Sequence, residues 1–380
     1  MSWNERHSRS EHLAIDADVA RKRGDGRVAE ALYRRAAAEE SAALEELSAD
    51  KQRTRGITAV SAVALWYKGR DYTAAEHAAH SYLAVGKLPT FAEVQLRDLL
   101  SAIWTTSAAE AAGITFVPGD VLVSIKGGQV IHGGAPLDLI VRKVEGIQSV
   151  LFRTVEMLME LPVRKRGYPS TDIQSMFKPW LFQAPAGSYQ FAVRMQEPTQ
   201  HELPLWEANR PRIENVTSTF FRVLRATAKG REEDLSAIVK SEDYRGAFLG
   251  LARNLAPAGK TFERLEVRDA STPSEPLVTM VADTRQELNA ALRKLRPRNK
   301  QTEPSEPVKI EGVLRALHLD KDWLEVTVAV RTPGQEEHVK IHEANEVLDD
   351  VVGPMVNRKV LVTAVRSGSR FLYRDIELEE

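Results

Sequence analysis

The chain contains no cysteine, which removes disulfide staples, thiolate nucleophiles and cysteine-ligated zinc or iron–sulfur centres at one stroke. Nor is there an excess of one charge. Fifty-two Lys and Arg stand against 53 Asp and Glu, for a net charge of −1, so a globally basic nucleic-acid coat and a polyacidic tail protein are both excluded. Long hydrophobic runs are missing: the longest, near Ile57–Tyr67, falls far short of the roughly 20 residues that span a bilayer. The opening residues Met1-Ser2-Trp3-Asn4-Glu5-Arg6-His7 are polar with no apolar stretch behind them, unlike a secretory signal. The expectation is a cytoplasmic protein with no membrane partner.

Catalytic signatures are also scarce. No Gly-x-x-x-x-Gly-Lys-Ser/Thr is present to cradle a phosphate. His132-Gly133-Gly134 looks like an oxyanion loop, but no Gly-x-Ser-x-Gly elbow accompanies it. His77 and His80 share a helical face, yet a metal needs three or four converging ligands. Asp320-Lys321-Asp322 lacks the glycine and distal glutamate of a calcium loop. His338 and His342 fall on one exposed strand face, and Asp349 and Asp350, adjacent on a helix, do not face each other. The expectation is therefore no cofactor, no metal and no catalytic residue.

What is present is architecture. At 380 residues the chain holds two to three domains of ~100–200 residues each, and its pattern predicts a multidomain α+β protein. The first third is rich in Ala, Leu, Glu and Arg with almost no proline, the composition of helices. Apolar spacing predicts helices at 10–23, 27–48, 51–68, 73–85 and 90–105, with Thr90 as N-cap and Glu93 completing a capping box. Glycines at Gly24-Asp25-Gly26 and Gly69 punctuate them. The boundaries read as a helical domain over 1–107, a mixed α/β domain over 108–296, a polar, proline-rich linker over 297–307 and a small five-stranded β-barrel over 308–380.

The stretch Ala64-Leu65-Trp66-Tyr67-Lys68-Gly69-Arg70-Asp71-Tyr72-Thr73-Ala74-Ala75 resembles the junction of a tetratricopeptide repeat, with Gly69 closing the turn between paired helices and Tyr72 wedging between them. Arg21 to Ala31 resembles a weaker first copy. Gly24 and Gly69 are more widely spaced than the ~34-residue family period, which requires a longer second helix in the first unit or an irregular repeat. The resemblance implies protein or peptide binding on a concave face lined by Asp18, Arg21, Arg55, Val63, Trp66 and Arg70. Arginines beside an indole suit an acidic or carboxylate-ended peptide; the same residues also suit a hairpin core (Trp66) and a solvated face.

In the middle segment, Val121–Ile131 reads as a hairpin turning at Gly127-Gly128. A long amphipathic helix follows over 137–161, then an exposed loop at Arg164-Lys165-Arg166-Gly167-Tyr168-Pro169. Strands are expected at 188–195, 261–269 and 276–283, and helices at 212–228, 231–239, 241–254 and 285–295. Ala-Pro-Ala-Gly occurs twice, at 184–187 and 256–259, each time before a strand, as repeated turn chemistry.

From Val308 the order is three strands, a short helix and two strands, at 308–318, 323–331, 336–342, 344–351, 358–366 and 370–378. That order resembles an OB-fold, with an SH3-like barrel as the near alternative. The resemblance implies single-strand binding through residues such as Arg315, Trp323, Lys340, Arg370, Phe371 and Tyr373, joined by the basic loop Arg164, Lys165 and Arg166. Against this, residues 308–380 hold 10 basic and 14 acidic side chains, and phosphate contacts dominate nucleic-acid affinity. The leading expectation is a non-enzymatic scaffold or adaptor that recruits a protein or peptide through Arg21, Arg55, Trp66 and Arg70. A nucleic-acid accessory factor and an enzyme of unrecognised type in the middle segment remain as alternatives.

Overall fold

A computed structural model of the chain describes residues 2–117, 119–183, 189–197, 210–230, 232–270, 276–295, 307–318, 320–329, 336–344 and 349–379. Contacts divide the chain into two compact units, Met1–Thr115 and Phe116–Glu380. Among the described residues, no helix is long and apolar enough to cross a membrane.

The first unit is five helices: α1 (Trp3–Lys22), α2 (Gly26–Glu45), α3 (Gln52–Lys68), α4 (Tyr72–Ala84) and α5 (Thr90–Ala111). Each packs on the next, and α3 also packs on α5. The sequence periodicity located all five, with differences at the ends. Helix α1 starts at Trp3 rather than residue 10, because Ser2 and Glu5 form a reciprocal capping box: Ser2 Oγ accepts from Glu5 N at 3.4 Å and Glu5 Oε2 accepts from Ser2 N at 2.8 Å. We expect Ser2→Ala to cost about 1 kcal/mol of local stability, read as faster amide exchange in the first turn of α1 and unchanged exchange in α3. The box expected at Thr90 and Glu93 does not form. Pro89 holds the N-cap position without a side-chain cap bond, and Thr90 is already helical. Pro89 is placed by packing: a Cβ added at Gly56 on α3 would lie 2.7 Å from Pro89 Cγ. Helix α5 runs on to Ala111, so the boundary expected at 107 falls inside it.

Small residues set the spacing of the first pair. Ala17, Ala20, Ala29, Ala36 and Ala37 are all buried between α1 and α2, and without bulk the helices approach closely. Gly69 works the same way. Its φ is −75°, so no left-handed turn requires it; a Cβ there would meet Arg34 Cγ at 2.7 Å and Glu30 O at 3.3 Å on α2. The left-handed residue of that turn is Arg70, at φ 55°. Tyr72 packs toward α3 and α5, with its ring 6.0 Å from that of Tyr67 and its hydroxyl donating to Glu110 Oε1 at 2.5 Å. The wide glycine spacing has a simple counterpart: α2 has 20 residues and α4 has 13.

In the second unit, strands β1 (Val121–Lys126), β2 (Pro179–Gln183), β3 (Gln190–Met195), β4 (Arg264–Asp269) and β5 (Val278–Met280) form an antiparallel sheet in the order β2-β3-β1-β4-β5. Helix α6 (Leu137–Leu158) connects β1 to β2 by way of α7 (Thr171–Met176); α8 (Ile213–Ala228), α9 (Glu232–Ile238) and α10 (Glu242–Leu255) connect β3 to β4; α11 (Ala282–Leu295) follows β5. This is a split βαβ arrangement, with β1 seated between β3 and β4. The hairpin expected at 121–131 does not form. Past the turn, Gln129 N bonds to Thr261 O at 2.9 Å, and β1 pairs instead with residues 190–193 and 264–269. Gly127 and Gly128 do adopt positive φ, at 78° and 62°, as the turn was expected to require. The strand expected at 276–283 shortens to β5, because Ala282 already begins α11. Strand β2 and helix α7 were not anticipated. The first Ala-Pro-Ala-Gly copy and the expected linker, apart from Pro307, lie outside the described residues.

The last segment forms a second five-stranded sheet from β6 (Pro307–His318), β7 (Trp323–Ala329), β8 (Glu336–His342), β9 (Lys359–Ser367) and β10 (Arg370–Leu378), with α12 (Asp349–Val352) and a 3-10 turn (Gly353–Met355) between β8 and β9. The order is β10-β8-β7-β6-β9, and β9 also pairs with β10. The β8–β10 seam is parallel and only two residue pairs long. One apolar cluster runs from Val123 and Phe191 through Ile147 and Phe248 to Val326 and Val362, joining both sheets.

Candidate partner-binding site

The residues expected to line the helical groove are largely occupied within the fold. Val63 is fully buried against α4 and α5, so it cannot face a ligand. Trp66 packs against the apolar cluster between α1 and α2 and the one among α3, α4 and α5, and donates Nε1 to Ser41 Oγ at 3.3 Å. Arg55 donates to Leu44 O and Leu47 O at 3.3 and 2.5 Å, satisfying carbonyls at the end of α2. Arg70 pairs with Glu110 at 2.9 Å and Glu30 at 3.7 Å. Arg21 lies 3.4 Å from Asp18, one turn away on α1. Asp18 in turn accepts a short hydrogen bond from Tyr33. That bond holds the Asp18 carboxyl below its ordinary range, while burial, and then the same bond, push the Tyr33 hydroxyl up to about 12.

Other side chains in this unit do face solvent. Among the described residues, eight of the fifteen large exposed apolar side chains belong to residues 1–115: Ile15, Val19, Val28, Ile57, Val85, Phe91, Val94 and Trp104. On α3 the neighbours bury Gly56, Ala59, Ala62 and Val63, leaving one side at four- and three-residue spacing: Ile57, Ser61, Ala64 and Lys68. On α5, Ala92, Leu96, Leu100 and Ile103 turn inward, while Phe91 and Val94 remain 41% and 48% exposed. Because Gly56 abuts Pro89 and Ala92, Ile57, itself 51% exposed, and Phe91 emerge from adjoining helix ends. Sequence reasoning missed these three. The available signal was their position off the inward stripe of their own helices.

The basic loop expected to be exposed is partly structural. Arg164 donates Nε to Glu156 Oε1 at 2.8 Å and lies 3.6 Å from Asp350. Lys165 O accepts from Asp349 N at 3.1 Å, and Arg166 pairs with Asp320. The loop thus wraps the start of α12. Beneath it, the fully buried Arg153 grips Asp350 with two bonds, at 2.7 and 2.8 Å, and donates to Arg164 O at 2.6 Å. Burial opposes the Arg153 charge, but Asp350 and Glu156 overcome that and raise its pKa above the ordinary guanidinium value.

On the C-terminal sheet, Arg315 and Arg370 are exposed and Tyr373 is buried. Trp323 carries Lys340 Nζ 3.9 Å above its ring and His318 4.7 Å beside it. Phe371 packs against the core. Arg315 sits on β6, and Arg370 and Tyr373 on β10. His80 lies 3.8 Å from Glu76 and beside Trp104, and among the described residues no three acidic or imidazole groups converge as a metal site.

A cleft of about 520 Å³, counted to its open mouth, lies among α6, α10, α11 and the 349–355 segment. Its walls include Arg142, Lys143, Asn254, Arg285, Asp350 and Met355. Lys143 donates to Asn254 O at 2.8 Å and Arg285 to Leu378 O at 3.0 Å, so these cations tie carbonyl groups together across the unit.

Comparison with protein-family models, curated proteins and solved structures finds no match to this chain.

Proposed function

We propose that this is a non-enzymatic binding protein whose N-terminal helices hold a segment of another protein. The observation that carries the reading is the concentration of solvent-facing apolar side chains on residues 1–115, with Ile57, Phe91 and Val94 on adjoining helix ends. Exposed apolar surface of that kind favours burial against a partner. A tetratricopeptide-type stack is supported by the sequential packing of α1 to α5 and by Gly69 at a close helix approach. The OB-type reading of the last segment is supported by the ladder order β6-β7-β8-β10-β9 with α12 before β9. The arginines first expected to recognise the partner are tied to neighbours, so apolar contact is the more economical basis for recognition.

The test is quantitative affinity purification of the wild-type chain and an Ile57→Asp/Phe91→Asp variant. Central apolar anchors of an interface contribute about 2 kcal/mol or more each. The variant is therefore expected to lose its principal interactor by well over tenfold while keeping the helical circular-dichroism signal. An unchanged set of interactors contradicts the reading.

A further inference from the structure

The central sheet has two unlike faces. Val123, Ile125, Phe191, Val193, Leu265 and Val267 point into the cluster under the helices. Ladder register puts Lys126, Arg194, Arg264 and Arg268 on the opposite face, together with Trp180 and Phe182 from β2. None of these six belongs to the apolar cluster.

Charge on this face is layered. Glu266 lies at the bottom, with its side chain 4% exposed, and holds Lys126 at 2.8 Å, Arg268 at 2.6 Å and Arg264 at 3.6 Å. Burial alone would raise its pKa, but the bonds from Lys126 and Arg268 win and hold it below the ordinary carboxylate range. Asp120 pairs with Arg194 at 2.7 Å. The cations stand outside their acids: Lys126 is 34% exposed and Arg264 53%. With Lys178 the face carries five cations, four of them paired to Glu266 or Asp120.

The rings interleave with these charges. Phe116 braces Trp180 and Phe182 edge-on, at 5.7 and 5.1 Å. Lys178 Nζ lies 5.7 Å from the Trp180 ring, and the Arg194 guanidinium lies 4.7 Å from the Phe182 ring. Trp180 is held by its Nε1 bond to Gln196 Oε1 at 2.8 Å.

We propose that this face binds single-stranded nucleic acid. Bases stack on Trp180 and on the guanidinium plane of Arg194, and phosphates meet Lys126, Lys178, Arg264 and Arg268. Braced rings beside outward cations on one sheet face match the two needs of a single strand, π-surface for bases and positive charge for the backbone. An acidic peptide would use the cations but not the rings.

The experiment is fluorescence anisotropy of the full-length protein with labelled oligo-uridine RNA, oligo-thymidine DNA, a duplex and a poly-glutamate peptide. Both single strands should bind at 50 mM NaCl and weaken by about 30-fold at 200 mM, from roughly 0.7 counterions released per phosphate over three to four contacts. A difference between the RNA and DNA arms tells which strand is preferred. The variant Lys178→Ala/Arg264→Ala removes two solvent-facing groups and should lower single-strand affinity about tenfold, with a shallower salt slope. Trp180→Phe keeps a ring and should retain binding. No binding at 50 mM NaCl, unchanged affinity in the double variant, or equal binding of poly-glutamate or duplex overturns the proposal.

Discussion

Replacing Asp350 with alanine is expected to lower the stability of the Phe116–Glu380 unit by about 3–5 kcal/mol, the usual result of stranding a buried charge. Asp350 receives two bonds from the fully buried Arg153, at 2.7 and 2.8 Å, on a helix that the Arg164–Gly167 loop also clasps. Without the carboxylate, the Arg153 guanidinium keeps, among the described residues, Arg164 O at 2.6 Å and Glu156 at 3.5 Å. Urea titration of the full chain should show the transition of this unit moving to lower denaturant while that of the helical unit stays in place. Asp350→Leu combined with Arg153→Met removes both charges and should recover most of the loss, because a well-packed apolar pair often replaces a buried ion pair at little cost. A loss below ~1 kcal/mol for the single variant would mean that the pair is solvated in solution.

Gly128→Ala should be nearly as damaging. The residue sits at φ 62°, and its added Cβ would lie 2.5 Å from Thr261 O and 3.0 Å from Phe262 Cα, both backbone atoms. The left-handed conformation alone costs about 1–2 kcal/mol, and a forced backbone shift adds about 1–3 kcal/mol. The thermal midpoint of this unit should fall by roughly 4–20 °C, at the 2–4 °C per kcal/mol expected for a large domain. Gly133 is the internal control: at φ 72° it has the same backbone handedness, but no atom lies within 4 Å of its added Cβ. Gly133→Ala should therefore show only the conformational share. Equal effects at the two positions would mean that Thr261 yields freely.

These two sites also mark what could and could not be read from the sequence. Local signals were legible. Helical spacing and glycine punctuation located α1 to α5, and alternation located β6 to β10. Long-range partners were not. Val130 and Ile131 alternate as a strand should, yet β1 takes its neighbours from residues about 70 and 145 positions away. Arg164-Lys165-Arg166 looks like a solvated triplet because Asp349 and Asp350, which fix it, are far along the chain. Thr90 and Glu93 carry the letters of a capping box, but packing of Pro89 on Gly56 decides where α5 begins. At the candidate site, Trp66 and Arg55 have the chemistry of recognition and are used for cohesion instead. Ile57, Phe91 and Val94 have ordinary core chemistry and are left outside.

The most direct test of the binding account compares interactors of the full-length chain with those of residues 116–380 by quantitative affinity purification and mass spectrometry. The account predicts that the principal protein interactor is lost with the helical unit and returns when residues 1–115 are restored, but not when they carry Ile57→Asp and Phe91→Asp. Retention of every interactor by residues 116–380 alone would contradict it.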